Sequence, residues 1–356
     1  MTGNLMQLKF RFIVLALMAS SSTAWAQAPA IIKPIIIRFS HVVAPDTPKG
    51  QAAERFKQLA EAATHGRVKV ELYPNSQLYK DKVELEALQL GAVEMLAPSL
   101  AKFGPLGIKE FEAFDLPYIF SDKAALYRVT EGPIGKGVLK KLETKGITGL
   151  AFWDNGFKVM SANKPLPTPA DFKGLKMRIQ ASNVLDAQMR ALGANPQVMA
   201  FSEVYQALQK GVVDGTENPP SNMYTQKMHE VQKYMTVSKH GYLGYAVIVN
   251  KKFWDGLPAD LRGALTAAMQ EATTFEKAIA QRDNDKALAA IRKAGMTQIH
   301  VLSAQEQAEW RRALAPVQKD MEGRIGKELI AAINLESARE SGAENSVKAS
   351  EKAAKQ

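Results

Sequence analysis

Beyond its first thirty residues, the chain alternates between strand and helix patterns, and this alternation restricts the fold more than any other feature. Three short apolar runs predict strands, and the segments between them place apolar residues at helical spacing. The predicted strands are residues 35–43, 68–73 and 93–98, and the helices between them are residues 49–63 and 81–90. A β-α-β-α-β order is typical of a parallel sheet covered by helices, so the sequence predicts an α/β fold.

The rest of the chain predicts a second unit of the same kind and one long helix. A helix near residues 123–142 and a strand at 147–153 extend the first unit, and the chain then crosses into a second α/β unit near residues 154–157. A helical pattern over residues 259–294 exceeds the usual length of a globular helix. At 356 residues a single core is near its upper limit, so two lobes are expected.

One arginine on a predicted strand is the strongest candidate for ligand binding. In residues 176–180, strand alternation puts Met177 and Ile179 on one face and Arg178 on the other. A guanidinium held on a strand is a fixed planar fork, which suits bidentate pairing with a carboxylate. Asn218 precedes a proline, so its backbone is biased towards an extended conformation that directs its amide. An isolated arginine would more simply be a surface ion-pair residue, and the surrounding pattern favours binding.

Several motifs around these residues occur in the order found in a known family. They are FSHVVAPDTPKG (39–50), LYPNSQLYKD (72–81), FEAFDLPYIF (111–120), FWDNGFKVMSANKPL (152–166), the stretch 171–220, and HGYLGYAVIVNKKFW (240–254). In these motifs the chain resembles the solute-binding proteins of TRAP transporters, and most closely the branch that binds C4-dicarboxylates. The resemblance implies a two-lobed periplasmic solute-binding fold (type II-like), with mixed sheets, helices on both sheet faces and a long interlobe helix, for which residues 259–294 are the candidate.

Residue patterns and the resemblance together predict a division of the chain into segments. Residues 1–26 are a signal peptide, residues 27–153 with 244–283 form lobe I, residues 154–243 with 284–330 form lobe II, and residues 331–356 are a polar C-terminal tail. The tail is expected to be frayed or disordered, because its last twenty residues have little apolar surface with which to build a core.

The resemblance also implies roles for individual residues. In that family the arginine of the KxR strand binds the ligand carboxylate, the asparagine of the ENP turn contacts the ligand, and a phenylalanine lines the pocket. These roles fall on Arg178, Asn218 and Phe201. Lys158 stands where the sialic-acid-binding branch has a second arginine, and it lacks the planar fork. This difference favours a dicarboxylate ligand over sialic acid. The sequence does not determine which of the two ligand carboxylates Lys158 would contact. The alternative to a binding role is a solvated lysine at a strand edge.

His41 is a further candidate, because it ends the first predicted strand, where open α/β sheets bind ligands. A buried core histidine is the simpler alternative. The other histidines show no HExxH or close metal spacing, and the chain has no GxSxG elbow. Asp214 and Glu217 could suggest a carboxylate pair or a cation site, but turn chemistry and helix capping explain them more simply. We therefore expect no enzymatic activity, no catalytic residue, no metal and no cofactor.

The amino terminus predicts export. Lys9 and Arg11 precede an apolar run at residues 12–19, and Ala24-Trp25-Ala26 forms a small-x-small cleavage signal. The chain contains no cysteine, which excludes a lipid-modified cysteine and disulfides. These features predict a periplasmic protein of a Gram-negative bacterium.

The charge balance bears on partners. The formal net charge is +10, and +8 remains without residues 1–26, which contain two basic and no acidic residues. A basic balance fits nucleic acid, an anionic membrane surface or an anionic ligand. The lysines are scattered among acids and no nucleic-acid motif occurs, so a nucleic-acid partner is not expected.

The expected function is therefore capture of a C4-dicarboxylate such as succinate, malate or fumarate. As a monomer, the protein would deliver it to the small and large TRAP membrane subunits that the resemblance implies. The alternatives are a receptor for another organic acid, such as a 2-oxo acid or an aromatic carboxylate, and a ligand-sensing partner of a signalling protein. A periplasmic enzyme would need a nucleophile, a metal or an acid–base pair, and none stands out in the sequence.

Overall fold

A computed structural model describes residues 33–339 of the chain, which form two β-sheets with helices packed against them. The predicted signal peptide at residues 1–26 and the last part of the predicted tail, residues 340–356, lie outside the described residues. No helix in the described range is long and apolar enough to cross a membrane.

The secondary structure follows the predicted alternation. The strands are β1 (Ile35–Ser40), β2 (Val68–Tyr73), β3 (Met95–Leu96), β4 (Ile147–Phe157), β5 (Val159–Ala162), β6 (Lys176–Ile179), β7 (Asn195–Val198), β8 (Gly215–Asn218), β9 (Tyr234–Val237), β10 (Tyr242–Asn250) and β11 (Gln298–Val301). The α-helices are α1 (Pro48–Ala63), α2 (Glu84–Gln89), α3 (Lys123–Glu131), α4 (Pro133–Lys141), α5 (Asn183–Ala191), α6 (Val204–Gln209), α7 (Pro220–Thr225), α8 (Lys251–Asp255), α9 (Ala259–Ala294), α10 (Ala304–Asp320), α11 (Glu322–Ile325) and α12 (Lys327–Ala338). Short 3-10 helices lie at Leu100–Lys102, Lys109–Asp115, Leu142–Lys145, Pro169–Phe172, Phe201–Glu203 and Met228–Glu230.

Both sheets are mixed, which confirms the predicted α/β class. The first sheet has the order β2-β1-β3-β10-β4, with β1 parallel to β2 and β3, and with β10 antiparallel to β3 and β4. The second has the order β11-β9-β5-β8-β6-β7, with β6 parallel to β7 and β8, and with β5 antiparallel to β8 and β9. Below, the first sheet with its packed helices is lobe I, and the second sheet with its packed helices is lobe II.

The lobes are joined by two strand crossings and by the long helix α9. The chain leaves the first sheet at Phe157 and enters the second at Val159, so Lys158 alone separates β4 from β5. The backbone N–H of Lys158 donates to the carbonyl of Gly241, which lies just before β10 on the return crossing. Helix α9 contributes Leu265 to the lobe I core and Ile291 to the lobe II core.

Two helical segments differ from the prediction. The helix predicted near residues 123–142 is broken at Gly132, because Pro133 pushes the preceding residue towards an extended conformation and starts a new helix. The boundary predicted at residue 331 falls inside α12, so the prediction of a frayed tail is wrong for residues 331–338. Ile330 and Ile333 of α12 are buried, and their packing holds the helix against the rest of the protein.

Candidate ligand-binding cleft

A small cavity lies between the lobes and is lined by residues of both. The space between its walls amounts to about 300 Å³ and is narrow. The lining residues are Val42, Val43, Asp81, Glu84, Ser99, Lys102, Leu243 and Tyr245 from the lobe I side, and Gln180, Phe201 and Asn222 from lobe II. Most of these side chains are polar or charged, and such groups can fix the orientation of a small ligand.

Direct contacts close the cavity. The Ser99 hydroxyl donates to Gln180 Oε1 at 2.6 Å, and the backbone N–H of Phe201 donates to Asp81 Oδ2 at 3.3 Å. Both hydrogen bonds cross from one lobe to the other. The structure is therefore a closed form, in which the two walls touch around a nearly filled space.

Arg178 lies on β6 in lobe II, and its side chain is buried. Strand β7 runs parallel to β6 and ends one residue before Met199, whose carbonyl accepts hydrogen bonds from Arg178 Nε at 3.1 Å and Nη2 at 2.8 Å. Burial lowers the pKa of Arg178 to about 10, although Asp81 and Glu217 act in the opposite direction, so the group stays charged at neutral pH. Within residues 33–339, no carboxylate forms an ion pair with this guanidinium.

Phe201 lies near this arginine, and Asn218 lies on the same face of the sheet. The Phe201 ring centroid is 5.9 Å from Arg178 Cζ, within the range of a cation–π contact. Arg178 pairs with Thr216 in the register of β6 and β8, so Asn218, two residues further along β8, points to the same face of the sheet. Asn218 Oδ1 accepts from Asn222, while Asn218 Nδ2 is buried and has no hydrogen-bond partner in the described part of the chain. The Asn218 amide therefore offers a free N–H donor on the same face of the sheet as Arg178.

Lys158 is bound to a buried carboxylate, Glu217. Its Nζ lies 2.6 Å from Glu217 Oε1, while Glu217 Oε2 accepts from Gln188 Nε2 at 3.0 Å and lies 2.8 Å from His240 Nε2. Burial alone would raise the pKa of Glu217, but the charge of Lys158 and the contact with His240 outweigh it and hold that pKa well below its usual range. Burial also lowers the pKa of His240.

The buried position of Lys158 rules out the solvated lysine considered from the sequence, and Glu217 is the central residue that turn chemistry did not reveal. The lysine and the histidine lie 59 and 23 residues from Glu217. No short-range pattern joins them, and the only local signal is the position of Glu217 beside Asn218 in the DGTENPP turn.

His41 is not brought together with the other candidates. It is buried, with its ring edge-on to Phe39 at a centroid distance of 6.4 Å. Burial, together with the charge of Lys49, lowers the pKa of His41 to about 3. The residue lines a groove that also includes Gly50 and Thr274, whereas its neighbours Val42 and Val43 line the interlobe cavity.

Two α/β lobes that close over a buried cavity lined by charged and polar side chains define a ligand-trapping binding protein. The chain matches the family model described as bacterial extracellular solute-binding protein, family 7 (DctP), over residues 39–324. It belongs to this family, which consists of solute-binding proteins and is not an enzyme family. Across the described residues, no group of three or more His, Cys, Asp or Glu side chains is arranged to hold a metal ion.

Individual relatives agree with this assignment. The chain is 66% identical over 329 residues to the C4-dicarboxylate-binding periplasmic protein DctP of Rhodobacter capsulatus, covering 92% of this chain and 99% of the relative. A TRAP periplasmic solute-binding protein from Shewanella oneidensis with bound succinate has a TM-score of 0.84 and 42% identity, with 86% and 100% coverage. A Pseudomonas aeruginosa PAO1 protein of the same kind with bound L-malate has a TM-score of 0.79 and 44% identity, with 81% and 100% coverage. The resemblance to TRAP solute-binding proteins is confirmed.

Proposed function

We propose that this protein is the periplasmic substrate-binding subunit of a TRAP transporter and that it captures a C4-dicarboxylate of the succinate, malate or fumarate type. The proposal is supported by the 66% identity to a C4-dicarboxylate-binding protein and by the succinate and L-malate bound to structural relatives. Export through residues 1–26 and delivery of the ligand to small and large TRAP membrane subunits are parts of the same proposal.

The observation that carries the proposal is the buried guanidinium of Arg178. It is held by the Met199 carbonyl, is charged, and has no carboxylate partner in residues 33–339. One carboxylate of the ligand pairs with this guanidinium and accepts a hydrogen bond from Asn218 Nδ2, while the Phe201 ring covers the contact. Because the closed cleft has a lower dielectric constant than water, the ion pair is stronger there. An uncharged analogue leaves the arginine unpaired, at a cost of about 1–3 kcal/mol or more.

Lys158 takes an indirect part in this binding model. Its ammonium is neutralised by Glu217 at 2.6 Å, so a ligand carboxylate would have to compete with that pair. Its backbone joins the two strand crossings through the Gly241 carbonyl. We therefore assign Lys158 and Glu217 to the support of the cleft between the lobes. His41, on the wall of another groove, is assigned no direct contact in the closed form.

Ligand binding is coupled to closure of the two lobes. A ligand favours the closed form only if it binds that form more tightly than the open one. A dicarboxylate that bridges the lobes meets this condition, because it adds contacts that are completed only when the Ser99–Gln180 and Asp81–Phe201 hydrogen bonds form. The closed, loaded protein is then the form that docks on the membrane subunits.

Calorimetric titration of the purified protein tests the proposed function. Succinate, L-malate and fumarate should each bind, and an uncharged diamide of the same length should not. A panel with a 2-oxo acid and an aromatic carboxylate is titrated in parallel. Binding of a panel member with no response to any of the three dicarboxylates would overturn the proposed ligand class. Reconstitution with TRAP membrane subunits separates transport from sensing, since only a transport subunit stimulates uptake of the ligand into vesicles.

A further inference from the structure

Two buried acids meet where the long helix α9 packs on strand β4. Glu276 lies near the middle of α9 and is 0% exposed, and Asp154 lies on β4 and is 2% exposed. The backbone N–H of Asp154 donates to Glu276 Oε2 at 2.9 Å, so the Glu276 carboxyl group lies against the residue that carries the second acid. Neither acid takes part in the proposed binding of a dicarboxylate.

The two acids belong to a line of contacts that joins α9 to the crossing between the lobes. Trp153 Nε1 donates to Thr273 Oγ1 at 2.9 Å, and Asn284 Nδ2 donates to the backbone carbonyl of Asn155. With Asp154, three consecutive residues of β4 are therefore hydrogen-bonded to α9, just before the chain crosses into lobe II.

Each acid keeps one oxygen without a hydrogen-bond partner. Asp154 Oδ2 accepts from the Tyr127 hydroxyl at 2.9 Å and lies 3.0 Å from Lys123 Nζ. Asp154 Oδ1 and Glu276 Oε1 are both buried and have no partner among the described residues. A buried polar atom left in this way costs free energy, and an uncompensated buried charge costs more. The two oxygens therefore require a donor that no described side chain supplies.

Within residues 33–339, one cation, Lys123 of α3, acts on the two acids. Lys277 follows Glu276 in the sequence but is directed elsewhere. It forms an ion pair with Glu131 and lies 5.2 Å from the centroid of the Tyr127 ring. Two carboxyl groups thus have one positive charge between them.

Uncharged hydroxyl groups complete the surround. Tyr127 of α3 and both Tyr242 and Tyr245 of β10 lie close enough for the charges of the two acids to act on them. Burial raises the pKa of each tyrosine, so all three hydroxyls stay protonated at neutral pH. At the Tyr245 ring, α1 contributes Lys49 Nζ, 3.6 Å from the ring centroid, and α7 contributes the uncharged Asn222.

We propose that Asp154 and Glu276 share one proton, held on Glu276 Oε1 and donated to Asp154 Oδ1, and that this hydrogen bond joins α9 to β4 in the closed form. The proton gives both unpartnered oxygens a partner and leaves one negative charge on the pair, which Lys123 balances. The contacts of Lys123 and Tyr127 with Asp154 favour the charge on Asp154 and the proton on Glu276.

The electrostatics of the site agree with this assignment. Burial raises the pKa of Glu276 well above its usual range, the charge of Asp154 acts in the same direction, and the charge of Lys123 acts against it. The inference does not depend on which ligand the cleft binds.

The first test compares the wild type with Glu276→Gln by urea unfolding from pH 5 to pH 8. The pKa of Glu276 is higher in the folded than in the unfolded protein, so the wild type loses stability as the pH rises, whereas a glutamine has no proton to lose. The ratio of the unfolding constants, wild type over variant, should rise by about tenfold per pH unit until the folded pKa is reached. A ratio that does not change with pH would overturn the proposal.

Glu271→Gln is the matched control. Glu271 lies on the same helix, is exposed, and pairs with Arg55. Its ratio should stay constant within about twofold over the same pH range, because an exposed ion pair contributes little.

Asp154→Asn tests whether the proton is shared. Without the charge of Asp154, burial alone holds the proton on Glu276. On this background, the rise of the ratio on Glu276→Gln should level off at a lower pH than it does with Asp154 present. A rise that levels off at the same pH would overturn the sharing.

Carbon-13 NMR of the wild type, labelled at the glutamate carboxyl carbon, detects the proton directly. At pH 8 one signal should keep the chemical shift of a protonated acid, and Glu276→Gln should lack it. A wild type without such a signal would overturn the proposal. Stabilisation of the wild type but not of Glu276→Gln by sodium or magnesium chloride, relative to choline chloride at equal ionic strength, would assign the site to a metal cation and would also overturn it.

Discussion

Lys158 Nζ lies 2.6 Å from Glu217 Oε1, and both side chains are buried at the point where the chain crosses between the lobes. This ion pair changes how the binding charges are assigned. A lysine that the sequence offers to the ligand is already neutralised by the protein. On the lobe II side of the cleft, the positive charge without a carboxylate partner among the described residues is therefore that of Arg178. Arg178 is thus available to bind the charge of the ligand, whereas Lys158 and Glu217 stabilise the crossing between the lobes.

Removal of the Glu217 charge should destabilise the protein. Glu217→Gln leaves Lys158 buried without a counter-ion, and breaking a buried pair from one side typically costs about 3–5 kcal/mol. Urea unfolding measures the change. The matched control is Glu203→Gln, which removes an exposed carboxylate 3.6 Å from Lys80 and should cost no more than about 1 kcal/mol. Equal effects of the two substitutions would contradict the buried pair.

The depressed pKa of Glu217 should make the stability of the protein depend on pH in the acid range. The pKa of Glu217 is lower in the folded protein than its ordinary value of 4.5, so folding favours the ionised form. Its contribution is complete above pH 4.5 and is lost as the pH falls towards the folded pKa, by about 1.4 kcal/mol per unit. The difference in unfolding free energy between the wild type and Glu217→Gln should therefore shrink as the pH falls from 4.5 to 3. A difference that stays constant down to pH 3 would refute the depressed pKa.

Arg178→Lys should abolish tight binding although the charge is kept. Lysine is a point charge without the planar fork, and it cannot hold the Met199 carbonyl and a carboxylate in the same geometry. We expect the affinity for succinate to fall by about 100-fold or more, measured by calorimetry. Arg190→Lys provides the control, because Arg190 is exposed on α5 and pairs only with Asp186 among the described residues. An unchanged affinity in Arg178→Lys would remove this residue from the binding site.

Helix α12 should contribute to folding despite its polar neighbourhood. Ile333→Ala removes a fully buried side chain and should lower the free energy of unfolding by about 2–5 kcal/mol. Leu335→Ala, on the same helix but 62% exposed, should change it by less than about 0.5 kcal/mol. Chemical denaturation of the two variants provides the comparison. Equal, small effects would indicate that residues 331–338 do not pack as described.

The accuracy of the sequence analysis depended on the range of the interactions involved. The predicted limits of α9, 259 and 294, match the structure, because helical periodicity is a local property. The strand of Arg178 and the extended end of β8 at Asn218 were also predicted from neighbouring residues. Pro133 is a local signal for the break in the helix at Gly132, but the prediction followed the helical pattern across it.

The charged networks could not be predicted in the same way. The partners of Glu217, which are Lys158, Gln188 and His240, come from three separate segments. Lys49 contacts the Tyr245 ring only because α1 and β10 pack in one lobe. Burial is what makes these charges significant, and burial is set by tertiary packing. No motif in a single sequence separates a buried, unpaired lysine from the many exposed ones.

Helix α9, which has 36 residues and a length of about 54 Å, belongs to the hydrophobic cores of both lobes. A rotation of one lobe against the other that keeps Leu265 and Ile291 in their cores requires α9 to bend along its length. We therefore expect the stiffness of this helix to contribute to the energy difference between an open form and the closed form.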